Sequence, residues 1–190
     1  EKILRDRVAE AVNEGKIEAT IIRPPWFYGP YQPNRQIRFY KMIKDGKVPT
    51  IGNGNNMRSM ACTINISQGA IRAALTEKAN GNTYWISDQK PYSYNKIIST
   101  IRSVMEQEFG IVCKHSTIRL PSILSDISYL ADYLIQSTGY YNKEIHVLSE
   151  MNKTIACSIK KAKLELNYNP TFNLYNGTVI SIKSLESGIL

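Results

Sequence analysis

The sequence predicts an α/β domain with parallel strand pairing. Short β-branched or aromatic runs alternate with stretches of helical period, and the breaks between them fall at glycine and proline. The 190 residues are 43% hydrophobic, enough for a sizeable core at this length. No apolar run approaches the roughly 20 residues of a membrane-spanning helix.

The elements follow in order. Ile3, Leu4, Val8 and Val12 mark one face of an opening helix, which Gly15 suits as a C-terminal stop. A strand over 19–23 should stop at Pro24-Pro25, because proline donates no ladder hydrogen bond and restricts the residue before it. A Pro/Gly/Tyr-rich loop is expected as far as Pro33, and then a helix carrying Ile37, Tyr40 and Ile43. A short strand over 48–51 precedes the turn Gly52-Asn53-Gly54-Asn55-Asn56. Residues 59–64 alternate like a strand, and Asn65 is placed to cap a helix through Ile66, Ala70 and Ala74. A strand over 83–87, a helix from Ser93 with Ile97, Ile101, Val104 and Met105, and a strand near 111–116 make another unit. Ile123, Ile127, Leu130 and Leu134 predict a further helix, and Ser158 a short one containing Ala162 and Leu166.

Three widely spaced cysteines, Cys62, Cys113 and Cys157, form neither a disulfide framework nor a Cys-x-x-Cys pair, so a reducing cytoplasm is expected. His115 and His146 have no ligand-spaced neighbours, and no metal site is expected. The net charge of +8 lies wholly between residues 17 and 120, since 1–16 carry four of each sign and 121–190 six of each. Its basic residues are scattered singly. That pattern suits a solvated face or the attraction of a phosphorylated small molecule better than a nucleic-acid arm.

Four segments carry a resemblance. They are Thr20-Ile-Ile-Arg-Pro-Pro-Trp-Phe-Tyr-Gly-Pro30; Gly52-Asn-Gly-Asn-Asn-Met-Arg58 leading to Asn65; Gly81-Asn-Thr-Tyr-Trp-Ile-Ser-Asp88 with Tyr92-Ser93; and Ser158 to Pro170. In this order they resemble the C-terminal portion of the extended short-chain dehydrogenase/reductases, which include the NAD-dependent epimerases and dehydratases of nucleotide sugars and their 3β-hydroxysteroid dehydrogenase relatives. The resemblance implies the last strands of a Rossmann-type sheet over 1–80. Residues 81–190 would be mainly a small substrate-binding lobe with a return to the sheet near the end.

It also implies roles. Pro24 and Pro25 would flank the nicotinamide of NAD or NADP. Trp26 would face the substrate where many sugar-nucleotide enzymes place asparagine, which favours a flatter or more apolar substrate. Arg58 would clamp a substrate diphosphate, a task suited to a planar, permanently charged fork. Lys2, 21 residues before Arg23, matches the lysine of the family's catalytic Tyr-x-x-x-Lys pair and would hold the nicotinamide ribose. The tyrosine would then precede residue 1, and the chain would be part of a longer enzyme, because no Gly-x-x-Gly-x-x-Gly turn occurs in it.

The implied activity is oxidoreduction, epimerisation or dehydration at a hydroxyl carbon, with a nucleotide sugar as substrate. A 3β-hydroxysteroid dehydrogenase-like enzyme and a noncatalytic basic binding module are the alternatives. A homodimer through the opening helix is a further expectation from the resemblance.

Overall fold

The computed structural model describes residues 2–185 as two units interleaved along the chain. The first comprises the chain up to Tyr31, with Ser59–Pro91 and Ala156–Ser184; the second comprises 32–58, 92–155 and Leu185. The chain thus crosses between them at 31/32, 58/59, 91/92, 155/156 and 184/185, where the sequence suggested one division near residue 80 and a late return.

In the first unit, α1 (Lys2–Asn13) precedes β1 (Ile21–Arg23), which runs parallel to β6 (Thr83–Trp85) with Ile22 level with Tyr84. After Pro24-Pro25 the chain resumes as β2 (Trp26–Tyr28) and pairs in parallel with a different strand, β5 (Met60–Cys62). The expected loop therefore contains a strand. Two consecutive residues without an amide proton end one ladder, but extended backbone is what proline favours, so a second ladder starts at once.

Helix α3 (Thr63–Ala74) begins directly after β5, two residues before Asn65. Cys62 is its cap residue and gives no side-chain hydrogen bond, so the expected Asn65 cap is not formed. The remaining helices are α7 (Lys160–Leu166) and α8 (Leu174–Lys183). The sequence reading missed α8, although Asn173 marks its start by accepting from the Asn176 amide at 3.1 Å. One core cluster joins Ala73, Ala79, Tyr84, Ile86, Ile159, Ala162, Leu166 and Tyr168, with Ile22 packed against it.

The second unit holds α2 (Asn34–Lys44), β3 (Pro49–Ile51), β4 (Met57–Arg58), β7 (Tyr92–Ser93), α4 (Tyr94–Phe109), β8 (Ile118–Leu120), α5 (Ile123–Ser137) and α6 (Lys143–Glu150). β3 is parallel to β8, and β4 is antiparallel to β7. The strand expected near 111–116 lies instead at 118–120. Ser93 caps α4 by accepting from the Lys96 amide at 3.2 Å, and Ile97, Ile98, Ile101, Val104 and Met105 are buried, as the periodicity predicts.

Helices α5 and α6 form a closely packed pair that the sequence half anticipated. Their junction is polar. The Asp132 carboxylate, 5% exposed, accepts from His146 Nδ1 at 2.8 Å and from Gln136 Nε2 at 2.9 Å. The His146 bond holds the Asp132 carboxyl below its usual value; burial opposes this, and Gln136 adds to it. A depressed carboxyl stabilises the pair above the unfolded-state value near 4 and loses that contribution as pH falls through its folded value. Denaturant midpoints should therefore drop as pH goes below about 4, and Asp132→Asn should flatten this dependence while lowering stability at neutral pH.

Candidate functional site

The bend at Pro24-Pro25 stands at the carboxyl end of β1, the end at which open parallel sheets bind ligands. Pro24 is exposed, and Pro25 and Trp26 are half-buried. Arg23, the arginine of the Arg-Pro motif, places its guanidinium carbon over the ring of Trp85 on the neighbouring strand, 4.1 Å from the ring centroid. Its register partner thus fixes the segment just ahead of the bend.

Behind the carboxyl ends of β2 and β5 lies a buried polar network. Asp88, 1% exposed, accepts from Tyr28 Oη at 2.7 Å through one oxygen. The other oxygen accepts from the Cys62 amide at 3.0 Å and from Asn65 Nδ2 at 2.9 Å. Asn65 Nδ2 also donates to the Phe172 carbonyl at 2.8 Å, and Asn65 Oδ1 accepts from the Thr171 and Phe172 amides, each at 3.1 Å. Asn65 is therefore structural, as the sequence suggested, but it ties α3 to the segment before α8 instead of capping its own helix. Three donors on one carboxylate make Asp88 the anchor of the strand ends. The sequence showed this aspartate at the end of the Tyr-Trp-Ile-Ser run without marking its role, which emerges only when β5 and residues 86–88 become neighbours.

Burial pushes the Cys62 thiol up, against hydrogen bonding at the Ile64 amide, and the Asp88 charge adds to the rise. A raised thiol is a poor nucleophile, and Cys62 belongs to the core. Tyr168, buried, donates to the Ser87 carbonyl at 2.8 Å, and burial first, then Asp88, pushes its phenol up. Neither group is poised for proton transfer. Burial raises the Tyr94 phenol to about 12, which removes it from acid–base chemistry near neutrality as well.

The predicted residues are placed as follows. Pro24, Pro25 and Trp26 come together at the bend. Lys2 is exposed on the first turn of α1, in the same unit. Arg58 belongs to the second unit and ends β4, where it bridges to Ile155 and faces Tyr92 across the β4–β7 pair. Its Nη2 donates to the Glu150 carbonyl at 2.6 Å. Burial pulls the guanidinium below its usual value, and the nearby Glu150 and Tyr94 work the other way. One arm of the fork is thus committed to the protein, and the guanidinium is held in a defined orientation.

A nicotinamide dinucleotide would call for a flat surface beside its ring and a donor beside its ribose. A backbone bend without amide protons can lie against the flat ring, and an exposed ammonium on a helix suits ribose hydroxyls. The pyrophosphate has no glycine-rich cradle in this sequence. Among the described residues there is no group of three His, Cys, Asp or Glu side chains that could hold a metal ion, and no helix is long and apolar enough to cross a membrane.

Comparison with known proteins gives the geometry its context. An uncharacterised protein of Sinorhizobium fredii, y4nL, is 45% identical over 183 residues, covering 95% of this chain and 51% of that protein. The UDP-glucose 4-epimerase of Thermotoga maritima, solved with UDP-glucose, superposes with a TM-score of 0.65 at 14% identity, over 95% of this chain and 50% of that one. The UDP-glucuronic acid 4-epimerase of Bacillus cereus, solved with UDP-glucuronic acid and NAD, gives 0.63 at 21% identity, over 94% and 49%. The fold is thus that of Rossmann-type epimerases, and the chain spans about half the length of the relatives it matches. The family model of the 3-beta hydroxysteroid dehydrogenase/isomerase family matches residues 3–121, and the chain belongs to that family, within the extended short-chain dehydrogenase/reductases that its four motifs resemble.

Proposed function

We propose that these residues form part of an NAD(P)-dependent oxidoreductase, epimerase or dehydratase acting on a hydroxyl carbon of a nucleotide sugar in the cytoplasm. The observation that carries this reading is the Pro24-Pro25 bend at the carboxyl end of β1, on a chain of this family. The bound dinucleotide would supply hydride acceptance. From this chain, Lys2 holds the ribose hydroxyls, Pro24 and Pro25 wall the nicotinamide, and Trp26 shapes the substrate side. In the longer enzyme, Lys2 also lowers the pKa of a tyrosine four residues ahead of it, which takes the hydroxyl proton. On this reading the unit holding β1, β2, β5 and β6 belongs to the nucleotide-binding sheet, and the second unit to the substrate lobe.

Arg58 binds the substrate diphosphate with the guanidinium edge that Glu150 leaves over. Arg58→Ala should weaken sugar-nucleotide affinity by about 1.5–3 kcal/mol, the worth of a charge-assisted contact. Calorimetric titration of the full-length protein with UDP- and dTDP-sugars measures this, and unchanged affinity counts against the clamp.

A 3β-hydroxysteroid dehydrogenase-like activity is the second reading, favoured by the family match and by Trp26 in place of a polar sugar contact. Formation of NADH from sterols, set against turnover of UDP- or dTDP-sugars, separates the two. If the full-length sequence lacks both a glycine-rich turn and a tyrosine four residues ahead of Lys2, the enzyme reading falls.

A further inference from the structure

Four ionisable side chains of the second unit connect α5 to the candidate clamp. Asp132 on α5, 5% exposed, accepts from Nδ1 of His146 on α6 at 2.8 Å. The other ring nitrogen, Nε2, stands 3.8 Å from Oε1 of Glu150, one helical turn further on. Glu150 takes Arg58 Nη2 on its carbonyl at 2.6 Å, and its carboxylate acts on the same guanidinium against the effect of burial. Around the imidazole, Gln136 Nε2 donates to the same Asp132 oxygen at 2.9 Å, and the Tyr141 ring lies 5.5 Å away between centroids. Lys153, over the ring of Tyr129, adds positive charge near Asp132.

The proton positions follow from the acceptors. Asp132 is held below its usual value, chiefly by the His146 bond, so it is ionised at neutral pH and can only accept. Neutral His146 therefore carries its proton on Nδ1 and turns a bare lone pair toward Glu150. Two acceptors then face one another, and 3.8 Å is beyond hydrogen-bond reach. A second proton reverses that contact, because Nε2 becomes a donor and the ring a cation. Asp132 Oδ1 is buried and receives no hydrogen bond among the described residues, so the junction carries negative charge that a cationic ring offsets.

We infer that Asp132, His146 and Glu150 form a proton-operated latch on Arg58, an inference that rests on the reading of Arg58 as a diphosphate clamp. With His146 neutral, the Glu150 carboxylate is uncompensated beside the guanidinium and repels an anionic ligand. With His146 protonated, the ring neutralises Glu150, and the edge of Arg58 that the Glu150 carbonyl leaves over meets the diphosphate at full charge. Asp132 and His146 are positioning residues that act through Glu150. One unit charge several ångströms from a bound diphosphate, at the effective dielectric of a partly exposed site, amounts to about 3- to 10-fold in affinity. Binding is thus linked to a proton, tight at low pH and weaker as pH rises through the histidine range. A contact that merely joined two helices would set stability and leave affinity flat.

The test is calorimetric titration of the full-length protein with UDP-glucose between about pH 5.5 and 8, the range in which imidazoles titrate and the ligand's diphosphate stays ionised. Affinity should fall about 3- to 10-fold across that range, and binding should take up a fraction of a proton, read from buffers of different ionisation enthalpy. His146→Gln keeps a donor for Asp132 and should hold the weak, high-pH affinity throughout. Glu150→Gln removes the carboxylate but not the carbonyl, so at high pH it should bind as tightly as the native protein does at low pH. Such a gain of affinity is not what loss of a structural contact produces. His115→Gln, at the second histidine of this chain, should keep the native profile. A pH-independent affinity that Arg58→Ala still lowers overturns the latch and leaves the clamp standing. If UDP-glucose does not bind, or Arg58→Ala leaves its affinity unchanged, the clamp falls, and the imidazole proton resonances of the unliganded protein decide on the latch. The pH midpoint of the His146 signals should drop in Glu150→Gln and rise in Arg58→Ala, and a midpoint indifferent to both changes overturns it.

Discussion

Replacing Asp88 with alanine should lower the stability of the chain by about 3–5 kcal/mol, because it strips the acceptor from the Tyr28 hydroxyl, the Cys62 amide and one Asn65 proton at once. All three donors lie where water does not reach, and each unpaired donor carries its own desolvation cost. Against a total of roughly 5–15 kcal/mol for a domain of this kind, the variant should unfold at a much lower urea concentration or fail to accumulate. Asp88→Asn keeps one acceptor oxygen and should lose less. The Asn65→Ala change acts on the same network, so the double variant should lose less than the two single losses together. Urea midpoints of the four proteins test this, and a loss below about 1 kcal/mol for Asp88→Ala would remove Asp88 from its place as anchor.

Gly177→Val should destabilise by a comparable amount through packing instead of hydrogen bonding. A Cβ at Gly177, on α8, would lie 2.6 Å from Tyr28 Cε2 and 2.8 Å from its hydroxyl oxygen. The ring cannot yield, since it is 2% exposed and its hydroxyl is tied to Asp88. In an exposed helix the loss of a glycine would gain about 1 kcal/mol of helix propensity. Here overpacking costs about 1–3 kcal/mol for the first methyl and more for valine, and a shifted ring also loses its bond to Asp88. Gly177→Ala should therefore destabilise, and the penalty should shrink when Tyr28 is replaced by leucine. If alanine at 177 stabilises the protein in the presence of Tyr28, the close approach is not what keeps glycine there.

Much of the fold could be read from local pattern. Helix α4 announces itself through Ser93 and a regular apolar stripe, β1 and β3 through short runs ended by proline or glycine, and β6 through a β-branched and aromatic run that starts after Gly81. What escaped depends on partners far along the chain. Nothing near Trp26 says that a strand resumes after two prolines; it does so because β5 offers a new ladder. Asn65 looked like a cap because asparagines often are, and its four hydrogen bonds go mostly to residues more than a hundred positions away. The apolar stripe of α5 predicted a helix correctly, yet periodicity alone cannot tell which face meets the protein and which meets solvent.

The candidate site divides in the same way. The Arg-Pro-Pro-Trp segment could be found as a motif, and its setting at a strand end followed from the prolines. That Arg23 rests on Trp85 and that Glu150 occupies one arm of Arg58 could not, because both contacts join segments that the sequence keeps 62 and 92 positions apart.

The interleaving of the two units bears on how the chain reaches its native state. Half of the core cluster of the first unit, Ile159, Ala162, Leu166 and Tyr168, comes from residues after 155. A ribosome emitting this chain delivers β1 and β2 early and the helices that cover them last, so the first unit closes only after the whole of 92–155 has emerged. Its paired strands wait without α7 and α8 to cover them through that interval, a condition under which stray contacts compete. The second unit has all of its helices and strands by residue 155. Synthesis in chain order therefore favours a sequence in which 32–58 and 92–155 consolidate first, and the segment carrying the Pro24-Pro25 bend is fixed in place last.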